Sequence, residues 1–258
     1  MLEDYTKVTE LPGYKITKEQ LARLYQRYRF ALKFCKDKEV LEVACGGGMG
    51  LGYLASVSKK VVGGDIDKNN LKYPLEHYKR RDKIELREFD AQNIPFEDKS
   101  FDVVILYEAI YYLEKPEMFV SEAHRVLKEN GVLLICTVNK DWADFNPSPS
   151  STKYFSASEL YSLVNQKFSK VELFGAFAVS RERIKNKTIS FIKRTAMAFN
   201  LIPKTMKGKE IFKRIFFGKL LTLPAEIEDG VAEYSPPVPL SNDYPNCKYK
   251  VLFSVAYV

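Results

Sequence analysis

The sequence is poor in the residues that most often carry acid–base catalysis. Its 258 residues include two histidines and one tryptophan. Histidine is the usual general base near neutral pH. His124 lies in the helical surface pattern Glu-Ala-His-Arg-Val-Leu-Lys and His77 in a charged stretch. An obvious histidine general base is therefore missing.

The four cysteines form neither a Cys-x-x-Cys pair nor a zinc-binding spacing. Reduced thiols are therefore expected, and no metal is expected to bind. A spacing similar to that of calcium loops begins at Asp65, but its sixth position is Asn70 where such a loop needs glycine, and Pro74 interrupts it.

Long apolar runs are also missing. No stretch approaches the length of a membrane span, and the N-terminus Met-Leu-Glu-Asp-Tyr lacks the basic and then apolar pattern of a secretion signal. With 46% hydrophobic and 28% charged residues, the composition is that of a soluble globular chain. We therefore expect a cytoplasmic protein.

A glycine-rich loop between two apolar runs is the most informative feature that is present. The run at 40–43 ends in Glu42-x-Ala44-x-Gly46-x-Gly48, and the next apolar run ends in Asp65. A buried strand that leads into glycines lets a ligand lie against bare backbone. An acid at the end of the following strand can accept two hydrogen bonds from a ribose. These features predict a nucleoside site.

The spacing of the glycines decides which nucleoside is expected. A phosphate-binding loop needs Gly-x4-Gly-Lys-Ser/Thr, and this loop has no lysine or hydroxyl there. The dinucleotide pattern Gly-x-Gly-x-x-Gly fails from Gly46 and from Gly48. The stretch instead resembles the acid-x-Gly-x-Gly-x-Gly signature of class I S-adenosylmethionine-dependent methyltransferases, of the small-molecule, type 11-like branch. Ala44 replaces the first glycine of that signature.

The resemblance extends from about Glu39 to Asn139 and implies a set of cofactor-binding residues. Asp65 would bind the ribose, Glu42 would face the methionyl ammonium group, and Asp90 and the Ala91 N–H would bind adenine. For Glu42 the alternative is a carboxylate bonded by its own loop, and for Asp90 it is an Asx-type turn. The full expected set is Glu42, Ala44, Cys45, Gly46, Gly48, Asp65, Ile66, Asp90, Ala91 and Tyr107.

Catalytic candidates follow the fourth strand of the pattern, where ligands bind in sheets of this type. Tyr107, Glu108 and Tyr111 are the candidates, with Glu108 as a proton acceptor and the tyrosines orienting an acceptor. Packing beneath a helix is the alternative for the tyrosines. A sulfonium donor is already activated, so positioning of the acceptor can supply much of the rate.

Local signals predict where several helices begin and end. Thr17 with Gln20 fits a capping box at the start of a helix, and Asp67 is expected to cap the helix that begins at Lys68. The helix after the glycine loop is expected to run to about Ser58, and the helix from about Glu117 to end at Asn130-Gly131.

The order of the elements predicts an α/β fold. Apolar strands alternate with helical segments from about 39 to 138, which indicates right-handed crossovers and a parallel sheet. We expect a Rossmann-like, doubly wound sheet of seven strands with an antiparallel last strand. Three parts are expected: an N-terminal helical cap (1–36), the S-adenosylmethionine-binding domain (37–180 and 247–258) and a basic helical insertion or lid (181–246).

Positive charge is concentrated in that insertion. The chain carries +7, yet residues 181–219 contain twelve Lys or Arg and two Glu, which leaves the rest at about −3. Stretches at 184–202 and 211–216 predict basic amphipathic helices. They fit a lid, or contact with an anionic membrane or a lipid-linked substrate. Nucleic acid is not favoured, since no RNA-binding motif accompanies the charge.

We therefore expect an enzyme that transfers a methyl group from S-adenosylmethionine, leaving S-adenosylhomocysteine, to a small-molecule acceptor. A natural product, a sugar or a lipid-linked intermediate is the preferred acceptor. The alternatives are an RNA methyltransferase and a non-catalytic membrane-surface module that uses the basic insertion.

Overall fold

The computed structural model of the protein describes residues 9–148, 150–179, 219–241 and 245–258. Most of its strands form one sheet in the order β4-β3-β2-β5-β6-β10-β7-β9, while β1 pairs with β8. The strands are β1 (Lys15–Ile16), β2 (Glu39–Val43), β3 (Lys60–Asp65), β4 (Ile84–Glu88), β5 (Phe101–Tyr107), β6 (Leu127–Val138), β7 (Lys170–Ala178), β8 (Leu221–Thr222), β9 (Val238–Leu240) and β10 (Tyr249–Tyr257).

In the parallel half of the sheet, successive strands are added first on one side of β2 and then on the other. Val40 in β2 pairs in parallel with Val61 in β3 on one side and with Val103 in β5 on the other. The chain thus builds β3 and β4 outward on one side, then crosses back to β5 and β6. The crevice at the carboxyl ends of β2 and β5 is a topological switch point, where ligands bind in such sheets. The expected doubly wound α/β fold is confirmed.

The last strand is antiparallel, as expected. Val255 in β10 pairs with Leu134 in β6 and with Glu172 in β7, in both cases antiparallel. The described sheet has eight strands rather than seven, because β9 adds an edge strand to β7. This strand is three residues long and contains Pro239. Such a segment is tolerated at a sheet edge but is too short to show an alternating pattern.

Within the described residues, five α-helices flank the sheet, and polar caps fix where three of them begin. They are α1 (Lys18–Cys35), α2 (Leu51–Ala55), α3 (Lys68–His77), α4 (Pro116–Val126) and α5 (Ala157–Val164). The capping box predicted for Thr17 and Gln20 is present at α1, and a second one forms at Ser156. Asp67 caps α3 by accepting from the Asn69 N–H, also as predicted.

Two predicted helix ends were wrong. α2 ends at Ala55 and not near Ser58, because the Val57 N–H donates to the Leu54 carbonyl three residues back, which closes the helix in a tighter turn. α4 ends at Val126, and β6 begins at once. Asn130, predicted to end the helix, has a φ of 65° inside β6, where the pairing with β5 shifts register. The Asn-Gly pair therefore serves a strand irregularity.

Apolar side chains fill both faces of the sheet. One cluster joins α1 and α2 to residues such as Val40 and Ile105, and the other joins α4 and α5 to residues such as Leu41 and Leu106. Neighbouring strand residues point to opposite faces, so the strands are buried on both sides. This explains why β5 is almost uniformly apolar.

The predicted basic helices lie outside the described residues, which omit 180–218 and 242–244. The described remainder of the expected insertion, 219–241 and 245–246, contains β8, β9 and turns and no helix. It is apolar where it meets the domain, since Leu223 and Ile227 are buried. None of the helices in the described ranges combines the length and apolar character needed to cross a membrane.

Neighbouring residues of α4 provide a test of the core. Phe119 is fully buried, whereas the adjacent Met118 is 44% exposed. We expect Phe119→Ala to lower the free energy of unfolding by about 3–5 kcal/mol through lost burial and a residual cavity. Met118→Ala should change it by no more than about 0.5 kcal/mol. Urea denaturation of both variants measures the difference, and equal losses would contradict this packing.

Candidate active site

A cavity of about 520 Å³ opens at the carboxyl ends of β2, β3 and β5. This volume is typical of small-molecule sites. All but one of the residues predicted to bind a cofactor or to act in catalysis line it. These lining residues are Glu42, Ala44, Cys45, Gly46, Asp65, Ile66, Asp90, Ala91, Tyr107, Glu108 and Tyr111.

Gly48 is the exception, and the structure places it behind the loop. Its carbonyl accepts from the Tyr78 hydroxyl at 3.0 Å, and a Cβ at this position would lie 2.5 Å from the ring of Pro74. Gly48 also has a φ of 69°. Close packing against α3 and a left-handed backbone therefore account for this glycine.

The glycine loop adopts tight turns around the cavity. Ala44 has a φ of 55° and Gly46 a φ of 56°. Alanine is rare in this left-handed region, and a glycine would adopt it at less cost. The replacement of the first signature glycine by Ala44 therefore puts a residue with a Cβ atom into a left-handed conformation, which strains the loop.

Asp65 is anchored at the end of β3 by the loop itself. Its carboxylate accepts from the Gly46 N–H at 2.8 Å, from the Asp67 N–H at 2.9 Å and from the Asn70 amide at 3.3 Å. Burial raises the pKa of Asp65 in spite of these donors. The side chain is thus held rigidly at the cavity wall, which preorganises it for a ligand.

Asp90 occupies the loop after β4. Its Oδ1 atom accepts from the Gln92 N–H at 2.8 Å, which is the Asx-type turn considered above. The turn does not remove the residue from the cavity, because Asp90, Ala91 and Gln92 all line it.

Glu42 is a buried carboxylate with one bonded and one unbonded oxygen. Oε1 accepts from the Tyr28 hydroxyl of α1 at 2.5 Å. Oε2 is buried and has no hydrogen-bond partner among the described residues. Burial raises the pKa of Glu42 to about 7, although Tyr28 and Arg27 act to lower it. A buried acceptor without a partner is costly, so the site fits a ligand that donates there, such as an ammonium group.

The catalytic candidates cluster after β5. The Tyr111 hydroxyl donates to Glu108 Oε2 at 3.1 Å, and Glu108 has a φ of 54°. Burial raises the pKa of Glu108, against the lowering effect of two nearby arginines. The Tyr107 hydroxyl is buried and, among the described residues, has no hydrogen-bond partner. A strained acid beside an unbonded hydroxyl is typical of a functional site.

Sequence reasoning missed the contribution of α1. Arg23, Arg27 and Tyr28 project from this helix into the cavity. The apolar pattern of α1 predicted a covering helix but gave its arginines no role in the site. The sequence did contain a signal for the arginines. Arg23 and Arg27 are four residues apart, on the same helical face as the buried Leu24.

The two histidines do not line the cavity. His124 packs edge-on against Phe168, with ring centres 5.3 Å apart. His77, which the charged sequence around it suggested was solvated, lies 3.0 Å from a Glu226 carboxylate oxygen. In the described ranges, no three His, Cys, Asp or Glu side chains are grouped so as to hold a metal ion.

Comparison with known proteins points to one family. Residues 41–135 match the family described as a methyltransferase domain. A probable S-adenosylmethionine-dependent methyltransferase of Mycolicibacterium smegmatis is 33% identical over 144 residues, which cover 54% of each protein. A fatty-acid O-methyltransferase of the same organism is 37% identical over 102 residues, 38% of this chain and 36% of that protein. The chain thus spans about half the length, or less, of these relatives.

The fold comparison agrees. The structure of phosphoethanolamine N-methyltransferase 2 from Haemonchus contortus, in complex with S-adenosylmethionine, superposes with a TM-score of 0.56 at 17% identity. The match covers 90% of this chain and 52% of that one. At this identity the likeness concerns the fold. Together with the family match, it confirms the resemblance on which the sequence analysis relied.

The raised pKa of Glu42 predicts an unusual pH profile. Its folded pKa of about 7 lies above the ordinary value of 4.5, so the stability it contributes below pH 4.5 is lost as pH rises through 7. Glu42→Gln abolishes this loss and should stabilise the protein at pH 8 by about 2–3 kcal/mol. Denaturation at pH 5 and pH 8 measures it.

The control is Glu76→Gln, because this side chain on α3 is 76% exposed. It should leave the pH dependence of stability as in the wild type. A Glu42→Gln variant that loses stability between pH 5 and pH 8 as steeply as the wild type would contradict the buried, protonating carboxyl.

Proposed function

We propose that this chain, which carries a domain of the class I S-adenosylmethionine-dependent methyltransferase family, transfers a methyl group from S-adenosylmethionine to a small-molecule acceptor. The observation that carries the proposal is the buried, unbonded Oε2 atom of Glu42. It lies in the same cavity as Asp65 and Asp90. One cavity therefore offers an acceptor for an ammonium group, a ribose and an exocyclic amine.

In this proposal the donor lies along the carboxyl ends of β2, β3 and β4. Asp65 accepts from the ribose hydroxyls, and Asp90 and the Ala91 N–H face the adenine. Glu42 faces the methionyl ammonium group. Ala44, Cys45, Gly46 and Ile66 supply the remaining wall of this half of the cavity. Charge-assisted bonds of this kind are strong and directional.

The bound donor supplies an activated methyl group on a positively charged sulfur, so direct displacement needs only a well-placed nucleophile. Glu108 is the proposed proton acceptor. Its raised pKa makes it a better base than an exposed carboxylate. Tyr111 holds Glu108 in place through its hydroxyl, and the Tyr107 hydroxyl has bonding capacity left for the acceptor. These residues account for proton removal without a histidine.

The acceptor in this proposal is a small organic molecule. Rings of Tyr111 and Tyr112 form part of the cavity wall, with centroids 4.6 Å apart, and suit a planar or apolar group. A natural product, a sugar and a lipid-linked intermediate all remain within this class. The relative named as a fatty-acid O-methyltransferase supports an acceptor with an oxygen nucleophile. RNA or membrane binding by the 181–219 segment has no support among the described residues.

Binding of the sulfur nucleosides tests the donor half. We expect the wild-type protein to bind S-adenosylmethionine and S-adenosylhomocysteine but not NADH in calorimetric titrations. Asp65→Ala should weaken both by at least about tenfold, because it removes a charge-assisted acceptor. Asp98→Asn is the matched control, since that carboxylate is 72% exposed and pairs with Arg125 away from the cavity. Absence of nucleoside binding in the wild type would overturn the proposal.

Turnover tests the role of Glu108. With an acceptor found by screening, Glu108→Gln should lower kcat by about 10²–10⁴-fold, while S-adenosylhomocysteine affinity stays within about twofold. Tyr111→Phe should cause a smaller loss, because it removes only the bond that orients Glu108. Glu114→Gln also lies at the cavity and serves as the control. Unchanged kcat in Glu108→Gln would remove its role as base.

A further inference from the structure

Arg27 is a largely buried arginine whose Nε–H group is left unbonded. Its side chain is 11% exposed. No described residue accepts a hydrogen bond from it, and its Nε atom is buried without a partner. A guanidinium group carries five N–H donors in a planar fork that matches a carboxylate. Burying the Nε–H donor unbonded is expensive unless a ligand uses it.

Two carboxylates lie close enough to stabilise the positive charge of Arg27 but accept no hydrogen bond from it. Glu10 Oε2 lies 3.5 Å from Nη2, and Glu108 Oε1 lies 3.8 Å from Nη1. Both distances exceed those of a good hydrogen bond. Burial acts to lower the pKa of Arg27, and the charges of Glu108 and Glu10 outweigh it. The guanidinium is thus charged, fixed in position and free to bond an anion.

Arg27 lies where the two halves of the cavity meet. Its charge acts on Glu42 on the donor side, but its ion pair is with Glu108 on the acceptor side. The residues proposed for the donor follow β2, β3 and β4. The neighbour of Arg27, Glu108, follows β5 on the other side of the switch point and is bonded to Tyr111. Arg23, one turn earlier on α1, also lines the cavity and has a buried Nε without a described partner. Arg23 already donates to Glu19 through Nη2 at 2.6 Å, so Arg27 is the arginine of this pair with more capacity left for a ligand.

The surrounding charges select the kind of anion. Glu10 and Glu108 both lie within 4 Å of Arg27. A doubly charged phosphate would be repelled by these carboxylates more strongly than a singly charged carboxylate. The geometry points to an acceptor that carries a carboxylate, bound by the fork of Arg27. This inference rests on the proposed function, and it makes Arg27 a specificity-determining residue.

The experiment compares acids with their neutral amides. In the presence of saturating S-adenosylhomocysteine, 4-hydroxybenzoate and octanoate are titrated against 4-hydroxybenzamide and octanamide. We expect the wild type to bind at least one acid at least tenfold more tightly than its amide. Arg27→Gln should abolish this preference, and Arg27→Lys, which keeps the charge but loses the fork, should retain part of it.

Matched controls separate the acceptor from the donor. Arg29→Gln changes an arginine of the same helix that is 42% exposed and lies near Asp229, and it should leave the acid preference intact. Affinities for S-adenosylhomocysteine and for 5′-methylthioadenosine, which lacks the amino acid group, are measured in each variant. Arg27→Gln should change both by less than about twofold. Melting curves of the Arg27 variants verify that they are folded.

Two results would overturn the inference. If neither acid is preferred over its amide by the wild type, Arg27 does not select a carboxylate. If Arg27→Gln weakens S-adenosylhomocysteine tenfold but leaves 5′-methylthioadenosine unchanged, Arg27 binds the methionyl carboxylate of the donor instead. Failure of the wild type to bind S-adenosylhomocysteine is a different result, because it would overturn the proposed function itself.

Discussion

Burial of charged side chains in the crevice between β2 and β5 is the constraint on which the rest of this structure depends. The carboxyl ends of parallel strands at a switch point form a crevice that helices cover on both sides. Glu42, Asp65 and Glu108 lie there, and burial raises the pKa of each. Such groups reduce stability in the free protein. Their presence is understandable if a ligand supplies the donors that the protein does not.

Helix α1 covers one side of the crevice and so turns it into a cavity. The ring of Tyr28 lies against Gly50, where a Cβ atom would come within 1.9 Å of the ring. This close approach lets the Tyr28 hydroxyl reach Glu42 and brings Arg27, one residue earlier, over the end of β5. The same helix thus contributes apolar residues to the core and polar residues to the cavity.

Residues 219–241, which belong to the expected insertion, bond to α1, α2, α3 and the glycine loop. Asp229 accepts from the hydroxyls of Tyr25 in α1 and Tyr53 in α2, at 2.8 and 2.6 Å. Glu226 pairs with Arg81 and His77, and the Ile227 N–H donates to the Met49 carbonyl in the glycine loop. Although residues 219–241 contain only short strands and turns, they bond to the helices and the loop that shape the site.

The sequence by itself determined the sheet, its switch point and eleven of the residues that line the cavity. Apolar strands can be recognised from a few consecutive residues. The glycine loop and Asp65 follow such strands directly, so their positions at the end of the sheet could be predicted from nearby sequence alone. The same local reasoning misjudged the ends of α2 and α4. A tight turn at Val57 and a register shift in β6 set these ends, and a helical pattern reveals neither.

Only the tertiary structure decided how the cavity is charged. Arg27 and Tyr28 lie in a segment whose pattern predicts a covering helix, and nothing local indicates that they meet Glu108 and Glu42. Those contacts join residues 81 and 14 positions apart along the chain. Gly48 shows the reverse case, since its place in the motif suggested a ligand contact, whereas packing against Pro74 accounts for it. Side-chain direction and desolvation are properties of the assembled fold, and they set the chemistry of this site.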